Sequence, residues 1–291
     1  MGNITDNNWT ITKLLNWTTE YFNKYSIEWP HLEAEILLAY ALGFKRIELY
    51  TNHEKIVTPA ELGKFKAMIQ RRSQHEPIAY ITGNQPFMSL DFHVDRNVLI
   101  PRPETELLVE QVVSCSSAKG GTSCQLLVDI GTGSGCIAVS LAKFLPAIKV
   151  IGTDTSPAAL AIAQKNAEMH KVADRCEFRL GNLFEPIHER LDIIISNPPY
   201  IPSKDIEGLM TDVKDWEPRA ALDGGEDGLD YIRKIIAEAP DHLTPNGILL
   251  VEIGFDQGER VKKLAETTGK YTEIKLIKDL NGNDRILKAK I

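Results

Sequence analysis

From Glu104 onward, short apolar runs alternate with stretches of helical periodicity, and that alternation leaves few folds open. The spacing predicts a helix over 104–115, a strand over 125–130, a helix over 135–145 and a strand over 148–153. A helix over 157–169 and strands over 176–180 and 191–196 follow. Beyond residue 200 come a helix over 228–239, a strand over 247–253, a helix over 257–268 and strands over 272–278 and 284–290. Strands separated by helices pair in parallel, because each crossover returns the chain to the same end of the sheet. The last two strands are joined only through Asn281-Gly282-Asn283, too short for a crossover, so they pair antiparallel. The expected architecture is α/β: a seven-stranded, mostly parallel sheet covered by helices on both faces, with one reversed edge strand. Ligands of such sheets bind beyond the carboxyl ends of the strands.

One strand end carries unusual chemistry. The run Leu191-Asp192-Ile193-Ile194-Ile195-Ser196 reads as a buried strand, and Asn197-Pro198-Pro199-Tyr200 follows it. Each proline holds φ near about −65° and has no N–H, so the Asn197 and Pro198 carbonyls sit in a stiff turn that cannot extend the strand. An Asn side-chain oxygen beside a rigid backbone carbonyl can accept both N–H bonds of a planar –NH₂ group. Tyr200 offers a flat face to hold the plane of that group. The constellation suits chemistry on an amide or amino nitrogen. Taken alone, N-P-P-Y also fits a proline-terminated surface turn.

Upstream, Leu126-Leu127-Val128-Asp129-Ile130 leads into Gly131-Thr132-Gly133-Ser134-Gly135 and then a helix. Glycines let the backbone turn sharply and approach a ligand closely. The spacing is G-x-G-x-G rather than the G-x-G-x-x-G of nicotinamide sites, and Asp129 stands just before it. An acidic residue there suits S-adenosylmethionine, which carries an ammonium and a sulfonium and no phosphate. The next strand ends in Asp154, placed to accept hydrogen bonds from two ribose hydroxyls. Asp154 also fits a helix cap ahead of Ser156-Pro157-Ala158, a role Ser156 can fill instead.

Composition narrows the function classes. The chain of 291 residues carries a net charge of −7, and no run approaches the ~18 uninterrupted apolar residues of a membrane span. Residues 1–85 hold nine Lys/Arg and nine Asp/Glu, so the whole deficit falls on the α/β part. That balance argues against a large nucleic-acid footprint, which needs a basic stripe, and leaves room for a basic protein partner. The N-terminal MGNITDNNWTITK lacks the basic start and apolar run of a signal peptide, so the sequons at Asn3, Asn8 and Asn16 carry no weight. Cys115, Cys124, Cys136 and Cys176 form no C-x-x-C pair and read as reduced thiols of a cytoplasmic protein. The histidines show no metal-ligand spacing, so no metal is expected.

The first 75 residues have a different pattern. Trp9 to Tyr25, His31 to Leu42 and Pro59 to Ser73 place apolar residues three and four apart, which predicts three helices. Thr58-Pro59-Ala60-Glu61 marks a helix start and Gly43 a stop. Trp9, Leu14, Leu15, Trp17 and Phe22 read as core. From Glu76 through Gly83 an extended stretch is expected, with Phe87 to Val94 returning as its hairpin partner. The resulting division is a helical domain over 1–75, a β-hairpin linker over 76–95 and a catalytic domain over 96–291.

Taken together these segments resemble the HemK-type peptide chain release factor glutamine methyltransferases. The likeness spans nearly the whole chain: EPIAYITGNQPFMSLDFHV at 76–94, LIPRPETELLVE at 99–110, DIGTGSG at 129–135, SNPPYIP at 196–202, WEPRAALDGGEDGLDYIRKI at 216–235 and VEIGFDQG at 251–258. N-P-P-Y also occurs in nucleic-acid adenine methyltransferases, whereas P-R-P-E-T-E and E-P-R-x-A-L-x-G-G-x-D-G-L are far more specific. The resemblance implies a Rossmann-like class I methyltransferase domain behind a helical bundle and a hairpin. It also implies methylation of the side-chain nitrogen of glutamine in the Gly-Gly-Gln motif of class I release factors. Carried over residue by residue, the cofactor residues are Asp129, Gly131, Thr132, Gly133, Ser134, Gly135, Asp154, Asn182, Leu183 and Asn197. The substrate residues are Asn197, Pro198, Pro199 and Tyr200, with Asn197, Pro198 and Tyr200 nearest the chemistry. One departure is visible: the family usually has Asp where this chain has Asn182, ahead of Leu183-Phe184, which implies an altered adenine contact. Arg102 and Glu104 read as braces, and Glu217, Arg219, Asp223 and Asp227 as loop-ordering ion pairs.

The implied reaction needs no classical base. Asn197 Oδ1 and the Pro198 carbonyl would fix the substrate amide and stabilise positive charge developing on its nitrogen. A nucleic-acid N6-adenine methyltransferase would use the same turn on a flipped base, against which the net charge and the lack of a basic arm weigh.

Overall fold

The computed structural model describes residues 9–117 and 125–291, and the chain divides by its internal contacts into two units. Asn3, Asn8 and Cys124 fall outside the described residues, as does the side chain of Cys115.

The first unit runs to Gly83 and includes the distant segment 211–216. Its helices are α1 (Ile11–Lys24), α2 (Pro30–Leu42), α3 (Arg46–Thr51), α4 (Pro59–Arg72) and α5 (Ile78–Thr82). Thr10 caps α1, and Thr58 with Glu61 forms a capping box at the start of α4. Gly43 ends α2 at φ 68°. Leu14, Phe22, Leu37, Leu38 and Phe65 build the core. Trp9 and Trp17, expected in that core, are only half-buried; with Tyr21 and Tyr25 they line a cavity of about 650 Å³. Two elements depart from the sequence reading. The six residues of α3 are too few to show helical periodicity. The stretch expected to be extended from Glu76 is instead helical as α5. Its last carbonyls need partners, and Arg71 of α4 supplies them, donating to the Tyr80 and Ile81 carbonyls at 3.3 and 3.4 Å.

The second unit opens with the hairpin β1 (Asn84–Phe87) and β2 (Leu90–His93). Met88 and Ser89 form its turn, both at positive φ, as a two-residue hairpin of the primed type requires. β2 therefore falls inside the Phe87–Val94 stretch expected to return, whereas β1 begins only after Gly83 and lies, apart from Phe87, outside both stretches assigned to the hairpin. Phe87 and Phe92 are buried in the core of this unit. The remaining elements are α6 (Glu106–Ser117), β3 (Leu126–Ile130), α7 (Cys136–Phe144), β4 (Lys149–Asp154), α8 (Pro157–Met169), β5 (Cys176–Leu180) and β6 (Leu191–Ser196). After α9 (Thr211–Lys214), which belongs to the first unit, come α10 (Asp230–His242), β7 (Leu243–Glu252), α11 (Gly258–Thr268), β8 (Glu273–Lys278) and β9 (Asp284–Lys290).

The seven strands lie in the order β5-β4-β3-β6-β7-β9-β8. The first five are mutually parallel, and β9 is antiparallel to both neighbours. The reversed strand is thus not at the edge, as expected, but one place inside it. The physical reason lies in the side chains: Ile286, Leu287 and Ala289 of β9 are fully buried, whereas no residue of β8 is. The more apolar strand takes the position with two neighbours. Alternation along the strands feeds two cores. Leu127, Ile193 and Leu250 join α6 and α7 on one face, and Val128, Ile194 and Leu249 join α10 on the other. Asp192, the one charge in its apolar run, accepts the Gln125 and Leu126 N–H groups at 2.8 and 3.1 Å and anchors the entry to β3.

Candidate active site

Register brings the chemistry together. Ile130 of β3 pairs with Thr153 of β4 on one side and Ser196 of β6 on the other, so the glycine turn, Asp154 and Asn197 leave adjacent strand ends side by side. Gly131, Gly133 and Gly135 adopt φ of 72°, 53° and 76°, which L side chains rarely tolerate. This left-handed alternation folds the loop back, and the N–H groups of Gly131 and Thr132 both donate to the Thr153 carbonyl at 2.8 Å. Asn166 holds the turn from below. It is fully buried, and its amide donates to the Ser134 carbonyl at 2.8 Å and the His93 carbonyl at 3.0 Å.

Asp154 accepts Gly133 N–H and Ser156 N–H at 2.9 Å each. Ser156, not Asp154, caps α8, accepting Ala159 N–H at 3.2 Å. A carboxylate has about four acceptor positions, so Asp154 keeps two unspent at the cleft it lines. Gly131, Gly133, Asn182, Leu183, Asn197, Pro198 and Pro199 line the same cleft. A methyl group built on Gly131 would meet no protein atom within 4 Å, so open space lies above the turn. Leu183 is held at φ 49°, an uncommon conformation for a non-glycine residue, and contributes an apolar wall; Asn182 is exposed beside it.

Other residues expected at the site sit behind it. Asp129, Thr132 and Ser134 are buried and, with Gly135 and Tyr200, are not part of the cleft wall. Asp129 accepts the Thr132 hydroxyl at 2.7 Å, and burial pushes its carboxyl up to about 7. Fully buried, it presents no surface to an ammonium group, so its place is as a support beneath the turn. The Tyr200 hydroxyl donates to Glu252 at 3.4 Å, and burial raises its pKa.

Asn197 Nδ2 donates to Thr105 Oγ1 at 2.9 Å. Among the described residues no hydrogen bond uses Asn197 Oδ1 or the Pro198 carbonyl, which leaves two acceptors side by side at the cleft. The N-P-P-Y backbone is clamped by the loop that follows Arg219. Ile201 N–H donates to the Leu222 carbonyl at 3.1 Å and Gly224 N–H to the Ile201 carbonyl at 2.8 Å. Gln257 ties Tyr200 and Gly228 carbonyls together at 2.9 and 3.3 Å. A side chain at Gly228 would strike the Tyr200 carbonyl, which explains the G-G-x-D-G pattern as close packing of two loops.

Arg102 pairs with Glu217, whose other oxygen accepts Ile100 N–H at 3.1 Å, so this pair braces the approach to α6. Asp223 holds Ser203 and Arg219, and Asp227 holds Arg233 and Arg260. Glu104, read as a brace, is exposed and makes no side-chain hydrogen bond or ion pair among the described residues. Its exposed place in a three-residue 3₁₀ turn leaves it without a partner, a fact set by tertiary position.

This geometry has relatives. The PrmC N-terminal domain model matches residues 13–83, and the methyltransferase small domain model matches residues 104–212. The release factor glutamine methyltransferase of Geobacter sulfurreducens is 45% identical over 284 residues, covering 97% of each chain. The chain belongs to the release factor glutamine methyltransferase family. Members from Rhodopirellula baltica and Moorella thermoacetica are 41% and 44% identical over 97% and 90% of this chain and 96% and 92% of their own. Among solved structures, a methyltransferase from Pyrococcus furiosus superposes with a TM-score of 0.52 at 19% identity, covering 77% of this chain and 96% of that one. That likeness establishes the class I methyltransferase fold.

Sequence reasoning missed Thr105, Asn166, Glu252 and Gln257, which hydrogen-bond to the glycine turn or the N-P-P-Y segment. Thr105, Glu252 and Gln257 lie inside the segments that carry the family likeness, and Asn166 interrupts the apolar face of α8.

Proposed function

We propose that this protein transfers a methyl group from S-adenosylmethionine to the side-chain amide nitrogen of the glutamine in the Gly-Gly-Gln motif of class I peptide chain release factors. The observation that carries the reading is the pair of unspent acceptors, Asn197 Oδ1 and the Pro198 carbonyl, at the cleft that holds Asp154. Family membership at up to 45% identity over nearly the full chain supports it.

The residues fit the cofactor. Asp154 has acceptor positions left for a ribose diol and biases the site toward a cation, and Leu183 gives an apolar wall for a base. When bound, S-adenosylmethionine supplies an electrophilic methyl on a positively charged sulfur. Asn197 Oδ1 and the Pro198 carbonyl accept the two N–H bonds of the substrate amide and hold its plane. An amide nitrogen is a poor nucleophile because its lone pair is delocalised. The two acceptors would counter this by stabilising positive charge as it develops on nitrogen, at no cost in reorganisation; the S–CH₃ bond breaks as the N–CH₃ bond forms, and the nitrogen then releases one of its two protons to solvent. Orientation alone contributes on the order of 7–11 kcal/mol in well-aligned systems. Tyr200, anchored through its hydroxyl, keeps the turn in shape.

The helical unit is assigned to docking the release factor and the hairpin to joining it to the catalytic domain, with Asn182 altering the adenine contact. The reading includes a cytoplasmic site of action without direct nucleic-acid or membrane binding. No helix among the described residues is long and apolar enough to cross a membrane. Cys136 and Cys176 are buried free thiols, each pushed up to about 12, which makes them inert core residues. The test is methyl transfer from labelled S-adenosylmethionine to purified release factor, to its Gln→Ala variant, to DNA and to RNA. Label in the release factor alone is the expected result; label in DNA or RNA, or in the Gln→Ala variant, refutes it.

A further inference from the structure

Helix α8 carries one amide on its buried face. Asn166 is 0% exposed and shares that face with Ala159, Ile162, Ala163 and Ala167. A buried primary amide is costly unless its donors and acceptor are met, and an apolar residue would fill the position without that demand. Here they are met by two backbone segments from different elements. Asn166 Oδ1 accepts the His93 N–H at 2.8 Å, and Nδ2 donates to the His93 carbonyl at 3.0 Å. The side chain thus pairs with the last residue of β2 as a neighbouring strand would. Nδ2 also donates to the Ser134 carbonyl at 2.8 Å, inside the glycine turn. One planar group holds hairpin and turn at once.

The rest of α8 extends the connection. At its start, Asp154 accepts the Ser156 N–H at 2.9 Å. In its middle, a methyl built on Gly135 would lie 3.0 Å from Ala163 Cβ, so helix and turn are in close contact. Past its end, His170 Nε2 lies 2.7 Å from the Asp91 carbonyl, and its ring is 5.1 Å from that of Phe92. Both cofactor elements, the glycine turn and Asp154, are fastened to the same helix as the hairpin. The hairpin itself supplies none of the residues that line the cleft among those described.

We propose that Asn166 is a positioning residue for the cofactor, coupling the glycine turn to the hairpin so that each steadies the other. Cofactor seated on the turn fixes the Ser134 carbonyl, and through the shared amide it suppresses opening of the hairpin at His93. The coupling acts equally in the other direction, because linkage is reciprocal. The inference rests on cofactor binding as read above and not on the choice of methyl acceptor.

Two readouts test it, and neither uses methyl transfer. The first is amide hydrogen exchange of the wild-type protein, followed by NMR with and without saturating S-adenosylmethionine. A ligand slows a local opening only where the two are coupled. The His93 N–H should exchange at least roughly fivefold more slowly with cofactor, the lower end of ordinary coupling. The Met88 N–H, at the turn of the same hairpin, is held instead by Glu106 of α6 at 2.6 Å. Its exchange should change by less than about twofold. The second readout is calorimetric affinity of Asn166→Ala and Asn166→Ser for S-adenosylmethionine. Each should bind it roughly 5–50-fold more weakly than wild type, and in each the cofactor should no longer slow His93. The Ser hydroxyl can bond the carbonyl one turn back in its own helix, so N166S decides should N166A not fold. A purely structural role would lower the melting temperature and leave the affinity of the folded variants as it was. Wild-type affinity in a folded variant, or slowing at His93 no greater than at Met88 in wild type, overturns the proposal. Wild type that binds no S-adenosylmethionine refutes the function proposed above and this inference with it; binding without a response at His93 refutes the coupling alone.

Discussion

The backbone N–H of Gly133 donates to Asp154 Oδ2 at 2.9 Å, tying the loop after one strand to the acid that ends the next. The cleft is therefore shaped before a ligand enters, and Asp154 steadies the glycine turn while keeping acceptor positions open at the cleft.

Replacing Asp154 separates these roles. Asp154→Ala should weaken S-adenosylmethionine binding by about 1.5–3 kcal/mol, roughly 10–100-fold, as expected for loss of hydrogen bonds to a charged group. It should also lower the melting temperature of the ligand-free protein, because Gly133 and Ser156 N–H groups lose their acceptor. Calorimetry and a thermal melt read the two effects. An unchanged dissociation constant would show that Asp154 serves the turn only.

Asn197 separates amide positioning from turn structure. Asn197→Ala and Asn197→Asp should both fold and bind cofactor, since the turn is held by prolines and by the loop at 222–228. Each should lose at least ~100-fold in methyl transfer, about 2.7 kcal/mol. For the Asp variant, a negative charge near the sulfonium stabilises the ground state and gains nothing in the transition state, where that charge is lost. Single-turnover rates within a few-fold of wild type would make the N-P-P-Y turn a scaffold.

Two glycines should respond in opposite directions. Gly135 sits at φ 76° and a methyl there would lie 3.0 Å from Ala163 Cβ, so Gly135→Ala should destabilise by about 1–3 kcal/mol. Gly63 lies within α4 with nothing within 4 Å of a built methyl. Gly63→Ala should stabilise by about 0.5–1 kcal/mol. Chemical denaturation measures both.

Asp129 predicts a pH signature. Its carboxyl is raised from the ordinary aspartate value to about 7 in the folded protein, chiefly by burial, with the charge of Asp154 adding to the rise. Between about pH 4 and 7 the folded state then binds more protons at this position than the unfolded state. Its contribution to stability is present below pH 4 and is lost as pH rises through 7. Asp129→Asn lacks that loss. The melting temperature of the variant minus that of wild type should climb between pH 5 and pH 8, whatever constant offset the lost Thr132 contact imposes. A flat difference would mean that Asp129 is ionised throughout.

Sequence by itself determined the alternation of strands and helices, the glycine turn, Asp154 and the N-P-P-Y motif, because local pattern encodes each of them. Period-two and period-3.6 hydrophobicity record which face of an element is buried. The residue types Gly, Pro and Asn record backbone conformations that other residues reach only with strain. Family likeness was legible for the same reason: its motifs are contiguous. What only the tertiary structure decided depends on residues far apart in the chain. Order in the sheet put β9 inside β8, since pairing competes on burial and not on sequence position. Arg71 made a helix of the stretch after Glu76 by meeting its free carbonyls. Burial took Asp129 out of the cleft wall and beneath the turn. Thr105, 92 residues before Asn197, accepts a hydrogen bond from the side-chain amide on which the proposed chemistry turns. A hydrogen bond across that separation leaves no periodic trace, because its partners are brought together by the packing of whole strands and not by any local preference of the chain.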